Sequence, residues 1–376
     1  MKTTHHIVFA GGGTAGHLYP GLAVAEKLAA NRPGVRITFV GTGKPLERDL
    51  VAAAGYDYVP LPSRPLPRKA SEAISFVVEN MAGYFAAGRL LDEENVAGVV
   101  GLGGYASVPV GRAAARRRLP LVLLEQNAVL GRANRWLSRF ASLLCTSFEP
   151  TELLGRARCP VRWTGNPTRD IAPSEAAVKP DATQPRLIVM GGSGGARSLN
   201  ENVPRALHKV RNLLTGWRIM HQSGEAGLAA TRELYRKFAL EAEVNAFWPD
   251  MPALLAQSSL AVCRAGGTTL AELAVAGTPA ILLPYPHAAD DHQRKNADAY
   301  VAAGAAQRID QREVTGRLDD HLAEVLGRLV QDADGRAIMA QAMGRLARPR
   351  AAIHVATLAW SLVTSQAHNK RLRAAA

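Results

Sequence analysis

The chain has 376 residues, 47% of them apolar and 34 of them glycine, which is enough for two packed α/β domains and excludes a disordered chain. With 45 Lys plus Arg against 32 Asp plus Glu, the net charge is +13, a surplus that attracts polyanions or acidic lipid head groups and says nothing about fold. Cys145, Cys159 and Cys263 are widely spaced and form no C-x-x-C pair, which fits reduced thiols in a cytosolic protein and speaks against a zinc site. The apolar stretch before the first glycines is too short for a signal peptide, and no run of about 18 apolar residues exists, so any membrane contact is expected to be peripheral.

In chain order, "HHIVFAGGGTAGH" reads as a short apolar strand and a glycine loop, followed by the helix "LYPGLAVAEKLAA" with Pro20 near its start. Gly11, Gly13 and Gly16 fit G-x-G-x-x-G, with His17 directly behind. Dinucleotide binding also needs a carboxylate at the end of the second strand, for the ribose. That strand, "RITFVGTGK", ends in Gly41, Thr42 and Gly43; Glu47 and Asp49 come later, inside the helix "PLERDLVAAAG". An NAD-dependent oxidoreductase therefore lacks its second requirement. What survives is the general affinity of helix N-terminal amides for phosphate, weighed against a plain tight turn that packs helix on strand.

The segment "SRPLPRKASEAISFVVENMAGYFAAGRLL" joins a basic, proline-bearing loop to an apolar helix. Ile74, Val77, Val78, Met81 and Phe85 share one face, which is expected to pack on the domain. Phe76, Leu90 and Leu91 fall elsewhere, so the helix is apolar nearly all round and is either deeply buried or touches lipid. "VAGVVGLGG" and "LPLVLLEQN" read as buried parallel strands. Between them, "GRAAARRRLP" supplies Arg112, Arg116, Arg117 and Arg118, either a solvated helix face or a contact with an anionic bilayer.

The Pro- and Asp-rich "TGNPTRDIAPSEAAVKPDATQPR" marks the join, with the boundary near Thr164. After it, "PRLIVMGGSGGARSLNENVPRALHKV" repeats the strand, glycine loop and helix of the N-terminus, and "WRIMHQSG", "SLAVCRAGG" and "PAILLPYP" alternate with helices such as "TTLAELAVAG". The expected architecture is α/β, with two Rossmann-like domains facing a central cleft. These span 1–164 and 165–347; a helix over about 348–366 packs back on the first, and 367–376 forms a loose tail. Gly191 to Gly195 also fit the G-x-S-x-G of a nucleophile elbow, but Asp290, Asp291 and His292 lie too close together to complete a hydrolase triad. Ser193 reads better as a phosphate ligand. From its own stretch, Thr269-x-x-Glu272 reads as a capping box, with Glu272 on a ribose diol as the sharper alternative.

The segments "GGGTAGHLYPGLAVAEKL", "GLGGYASVP", "LEQN", "GNPTR", "GGSGGARSLN", "CRAGGTTLAELAVAGTPAILLPYP" and "DDHQRKNA" follow one another in an order and spacing that resembles the peptidoglycan N-acetylglucosaminyltransferases. The likeness runs from about Ile7 to about Leu362. It implies a GT-B glycosyltransferase that moves N-acetylglucosamine from UDP-N-acetylglucosamine, held mostly by the C-terminal half, to undecaprenyl-diphospho-muramoyl-pentapeptide, held by the N-terminal half. By motif, Thr14, Ala15 and Gly16 line the sugar side of the donor and Asn127 binds the sugar. Arg169 and Ser193 address the UDP phosphates, and Trp248 meets uracil through its backbone. Gly267, Thr268, Thr269, Leu270, Ala271 and Glu272 hold phosphates and ribose, with Glu272 on the ribose hydroxyls, and Gln293 takes a sugar hydroxyl. Ala15, Gly194 and Trp248 depart from the family's usual residues.

The resemblance further implies inversion at the anomeric carbon with no cofactor and no metal; Asp290-Asp291 reads as a helix start. His17 is the candidate base, or else a hydrogen-bond partner of the acceptor diphosphate or a helix cap. The implied setting is the cytoplasmic face of the bacterial inner membrane, with peripheral contact to its anionic surface. Rival readings are another GT-B enzyme with a lipid acceptor, a non-hydrolysing epimerase, and a basic nucleic-acid-binding module. The last fits the charge but not the glycine loops, and nucleic acid is not an expected partner.

Overall fold

The computed structural model describes residues 5–67, 69–170, 184–192 and 194–375, with the side chains of 367–375 left out. The chain divides into two compact units, Met1–Arg169 with Pro349–Ala376, and Asp170–Arg348. The junction sits a few residues beyond the Thr164 suggested by composition, and much of the Pro-rich join (171–183) lies outside the described residues.

In the first unit, strands β1 (His6–Gly11), β2 (Arg36–Gly41), β3 (Asp57–Pro60), β4 (Val96–Gly103), β5 (Leu121–Glu125), β6 (Leu143–Thr146) and β7 (Val161–Trp163) form one sheet ordered β3-β2-β1-β4-β5-β6-β7. Every pairing is parallel. Alternate residues of each strand face opposite sides of a sheet. Ile7, Phe9, Val100, Leu102, Val122 and Leu124 therefore enter one core and Val8, Ala10, Val99, Leu121 and Leu123 the other. That is why these strands carry unbroken apolar runs.

The connecting helices are α1 (Ala15–Asn31), α2 (Pro45–Ala53), α3 (Ala73–Glu93), α4 (Ser107–Arg116) and α5 (Arg132–Leu137). Pro45 opens α2 as expected. Pro20 does not open α1: the helix starts at Ala15, so the proline lies inside it and forgoes one backbone donor.

The apolar face of α3 is a correction. Ile74, Val77, Val78, Met81 and Phe85, expected to pack inward, are 47–78% exposed. The helix buries Gly83, Ala87, Gly88 and Leu91 instead. A Cβ on Gly83 would stand 2.0 Å from the Pro62 carbonyl oxygen, so small residues set the packing face by allowing close approach, and the bulky stripe is left outside.

The second unit repeats the plan. Strands β8 (Arg186–Met190), β9 (Arg218–Gln222), β10 (Glu243–Asn245), β11 (Leu260–Cys263), β12 (Ala280–Leu282) and β13 (Ala306–Arg308) order as β10-β9-β8-β11-β12-β13, all parallel. Its helices are α6 (Arg197–Lys209), α7 (Leu228–Lys237), α8 (Met251–Ala256), α9 (Gly267–Ala276), α10 (His292–Ala302), α11 (Leu318–Gln331) and α12 (Ala333–Leu346). Leu199 and Val203 of α6 and Leu322 and Leu326 of α11 close one face over Leu187, Val189 and Val262.

The last helix, α13 (Ala351–Ala375), returns to the first unit. Val355, Ala356, Ala359 and Val363 pack with Leu18, Val24 and Leu28 of α1, and Gln366 donates to the Arg118 carbonyl. Its backbone stays helical to Ala375, within the stretch that composition marks as a loose tail.

Candidate active site

In open parallel sheets, ligands bind beyond the carboxyl ends of the strands where the strand order reverses. That point lies between β1 and β4 in the first unit and between β8 and β11 in the second. Most of the candidate residues follow these strands in sequence.

In the first unit, Gly13 has φ +91, which only glycine takes without strain, and it turns the chain into α1. Thr14 is the N-cap of that helix, with extended backbone, and it and Gly16 are exposed while Ala15 is buried. Thr14 Oγ1 lies 3.0 Å from His17 Nδ1. The ring of His17, partly buried, rests on the turn after β4: a Cβ on Gly103 would be 3.1 Å from its Cδ2. The loops after β1 and β4 thus meet at His17.

Glu47 is only 1% exposed, and it reaches back from α2 under the glycine loop. Its carboxylate accepts from Gly13 N at 2.5 Å, Thr42 N at 2.7 Å, Thr42 Oγ1 at 2.8 Å, Gly43 N at 3.2 Å and Tyr58 OH at 2.5 Å. Burial works to raise its pKa, but the hydrogen bonds from Tyr58, Gly13 and Thr42 outweigh it and hold the carboxyl below its ordinary value. A carboxylate committed to five protein donors is not offered to a ribose, which removes the last support for a dinucleotide site. Sequence reading placed Glu47 in the helix and missed this contact; the signal was a carboxylate in the first turn of the helix after the second strand.

Asn127 follows β5. Its backbone N–H and Nδ2 both donate to Glu125 Oε1, at 3.1 and 3.2 Å. Glu125 is fully buried, also accepts from Gly131 N at 2.8 Å and Asn134 Nδ2 at 2.9 Å, and burial pushes its carboxyl up. The buried carboxylate therefore fixes which way the Asn127 carboxamide points. Arg169, at the end of this unit, stacks its guanidinium 4.1 Å from the centroid of the Tyr19 ring on α1.

In the second unit, Ser193 lies outside the described residues. Around it, Gly195 has φ +73, and a Cβ there would fall 1.9 Å from the Ser223 carbonyl oxygen. Gln222, at the end of β9, bridges this loop to the next: Nε2 donates to the Gly192 carbonyl at 3.2 Å, and Oε1 accepts from Trp248 N at 3.2 Å. The Trp248 N–H is thus engaged within the protein. No sequence motif flagged Gln222.

Helix α9 starts three residues earlier than the capping box requires. Gly266 is the N-cap, Leu270 N bonds to its carbonyl at 3.0 Å, and Thr269 falls inside the first turn. The reading of Thr269 and Glu272 as a cap is therefore corrected, and Glu272 is a buried carboxylate one turn further in. Gly267, Thr268 and Thr269 supply the first amides of the helix, where phosphate is favoured. Leu270 buries its side chain completely, while Ala271 is partly exposed. Gln293 sits in α10 and anchors the loop after β12 by accepting from Tyr285 N at 2.9 Å. Asp290 and Asp291 do precede that helix, both with positive φ.

Residues 7–145 match the glycosyltransferase family 28 N-terminal domain and residues 186–354 the glycosyltransferase family 28 C-terminal domain. A UDP-N-acetylglucosamine–N-acetylmuramyl-(pentapeptide) pyrophosphoryl-undecaprenol N-acetylglucosamine transferase of Halorhodospira halophila is 40% identical over 360 residues, covering 94% of this chain and 97% of that one. Its namesake from Anaeromyxobacter sp. (strain K) is 39% identical over 360 residues, covering 95% and 93%. The chain belongs to this transferase family. The crystal structure of Acinetobacter baumannii MurG superposes with a TM-score of 0.73 at 30% identity, covering 95% of this chain and 99% of that one. The sequence resemblance and the GT-B fold are both borne out.

Proposed function

We infer that the chain transfers N-acetylglucosamine from UDP-N-acetylglucosamine to the 4-hydroxyl of muramic acid in undecaprenyl-diphospho-muramoyl-pentapeptide. The observation that carries the reading is identity of 40% across both units to a transferase of that name. The paired glycine loops at both switch points agree with it.

The acceptor oxygen attacks the anomeric carbon of the α-linked donor, and the bond to the β-phosphate oxygen breaks on the opposite face. UDP leaves with the electron pair, and the product is β-linked. Negative charge growing on the β-phosphate is met by the first amides of α9 and by Arg169. Glu272 takes the ribose hydroxyls, Trp248 the uracil through its carbonyl, and Asn127 and Gln293 the sugar. His17 accepts the proton of the attacking hydroxyl at Nε2, with Nδ1–H donated to Thr14 Oγ1.

The acceptor carries a lipid, and the first unit supplies a face suited to a bilayer. The exposed stripe Ile74, Val77, Val78, Met81 and Phe85 runs along α3. Beyond it, Tyr84, Phe85, Arg89, Arg116 and Arg117 line a groove of 640 Å³. Of the four arginines in the basic run, Arg112 stacks on Phe140 and Arg117 pairs with Asp92; Arg116 and Arg118 are exposed. Apolar insertion flanked by free guanidinium groups fits peripheral binding to an anionic cytoplasmic leaflet. No helix among the described residues is long and apolar enough to cross a membrane.

The test is radiolabelled UDP-N-acetylglucosamine with lipid-linked muramoyl-pentapeptide. Label is expected to move into the organic-extractable lipid, with UDP-galactose a poor donor. Label that stays in the aqueous phase, or UDP-galactose used equally well, contradicts the assignment.

A further inference from the structure

A buried anion directly beneath a loop expected to face phosphates is electrostatically costly unless it has work to do. Glu47 is that anion. Three of its five partners, the N–H groups of Gly13, Thr42 and Gly43, are obligate donors, so the group must present acceptor lone pairs at both oxygens. The fit is tight on the glycine side too: a Cβ on Gly12 would stand 2.6 Å from Glu47 Oε1.

The contacts fall on the two peptides that flank Gly13, just ahead of α1. Gly13 N–H is turned inward to Glu47, and the Gly13 carbonyl accepts from Lys44 Nζ at 3.3 Å on the other side. The next residue is Thr14, the N-cap, whose hydroxyl sits on His17 Nδ1. Rotation of the Gly13 peptide would move the Thr14 hydroxyl away from the imidazole. Tyr58, through its hydroxyl on Glu47 Oε2 and on Gly43 N at 2.8 Å, holds the carboxylate from below.

We propose that Glu47 is a positioning residue for glycosyl transfer: its carboxylate locks the Gly13 peptide, and through Thr14 sets the orientation of the His17 imidazole. The proposal rests on the reading of the first glycine loop as part of the transfer site. It also assigns the Gly13 N–H to the protein's own carboxylate rather than to a substrate phosphate.

The experiment compares Glu47→Gln with Tyr58→Phe, which deletes one of the five donors and guards against misfolding of the first variant. Two readouts are taken on the full chain: steady-state kinetics, and the side-chain ¹⁵N resonances of His17. In Glu47→Gln, kcat is expected to fall by about 10-fold or more while KM for UDP-N-acetylglucosamine stays within about 2-fold. Tyr58→Phe is expected to fall in the same direction by roughly 5-fold, less than Glu47→Gln because four of the five donors remain. The His17 resonances are expected to move toward those of Thr14→Val in both variants, because either change releases Nδ1. A merely structural carboxylate would lower the melting temperature and leave the His17 resonances and the ratio of kcat to KM unchanged, which overturns the proposal. If the wild type transfers nothing to the lipid acceptor, the functional reading fails alone, and the resonances still report whether Glu47 orients His17.

Discussion

Thr14 Oγ1 stands 3.0 Å from Nδ1 of His17, one turn along α1 from a cap residue to the imidazole it orients. The ring is backed by Gly103 and Gly104, with Nε2 on the Gly103 side. His17→Ala is expected to lower turnover by about 100-fold or more and leave UDP binding intact. Thr14→Val is expected to cost about 5-fold, since it frees the tautomer without removing the base. Steady-state rates with calorimetry for UDP check both; near-normal turnover in His17→Ala removes the base role.

Glu272 is expected to act on the ribose and on little else. Glu272→Gln should raise the dissociation constant for UDP by about 10-fold, the range of a hydrogen bond to a charged group. The wild type should lose a similar factor for 2′,3′-dideoxy-UDP, and the variant should not distinguish the two nucleotides. Additive losses would place Glu272 away from the ribose.

The stripe on α3 predicts a split between stability and membrane binding. Val78→Glu and Phe85→Glu replace exposed side chains, so the melting free energy should change by no more than about 0.5 kcal/mol. Sedimentation with vesicles containing acidic phospholipid should drop sharply in both. Arg116→Glu should weaken binding further as acidic lipid content rises, at about 1 kcal/mol per charge. Sedimentation unaffected by any of the three would remove α3 as the contact.

His221 predicts a pH limit on the second unit. It is fully buried, with Nδ1 3.0 Å from Tyr235 OH and Nε2 3.1 Å from Asn200 Oδ1, and burial holds its pKa down to about 3. Below about 6.5 the unfolded chain takes up a proton that the folded one refuses, so stability falls as the pH drops from there toward 3. The slope is at most about 1.4 kcal/mol per pH unit for this group. Urea midpoints measured from pH 7 to pH 5 should fall more steeply in the wild type than in His221→Gln; parallel slopes contradict the assignment.

Much of the fold is legible in the amino-acid sequence itself. Glycine after an apolar run marks a strand-to-helix turn, and two such turns half a chain apart gave two parallel sheets. What stayed hidden depended on who packs against whom. The stripe Ile74 to Phe85 looked like a core face because bulk apolarity is the usual signal, yet Gly83, Ala87 and Gly88 made the close contact. Thr269 and Glu272 matched a capping box in spacing, but Gly266 began the helix first. Glu47 and Gln222 each hold a glycine loop through side-chain contacts across 34 and 30 residues of sequence, a distance that no local pattern spans.

The most direct measurement of the central claim is the anomeric configuration of the product, read by proton NMR on the disaccharide released from the lipid. Attack by the muramic acid hydroxyl opposite to departing UDP predicts a β-linked N-acetylglucosamine. An α-linkage, or free N-acetylglucosamine with no disaccharide, would contradict it.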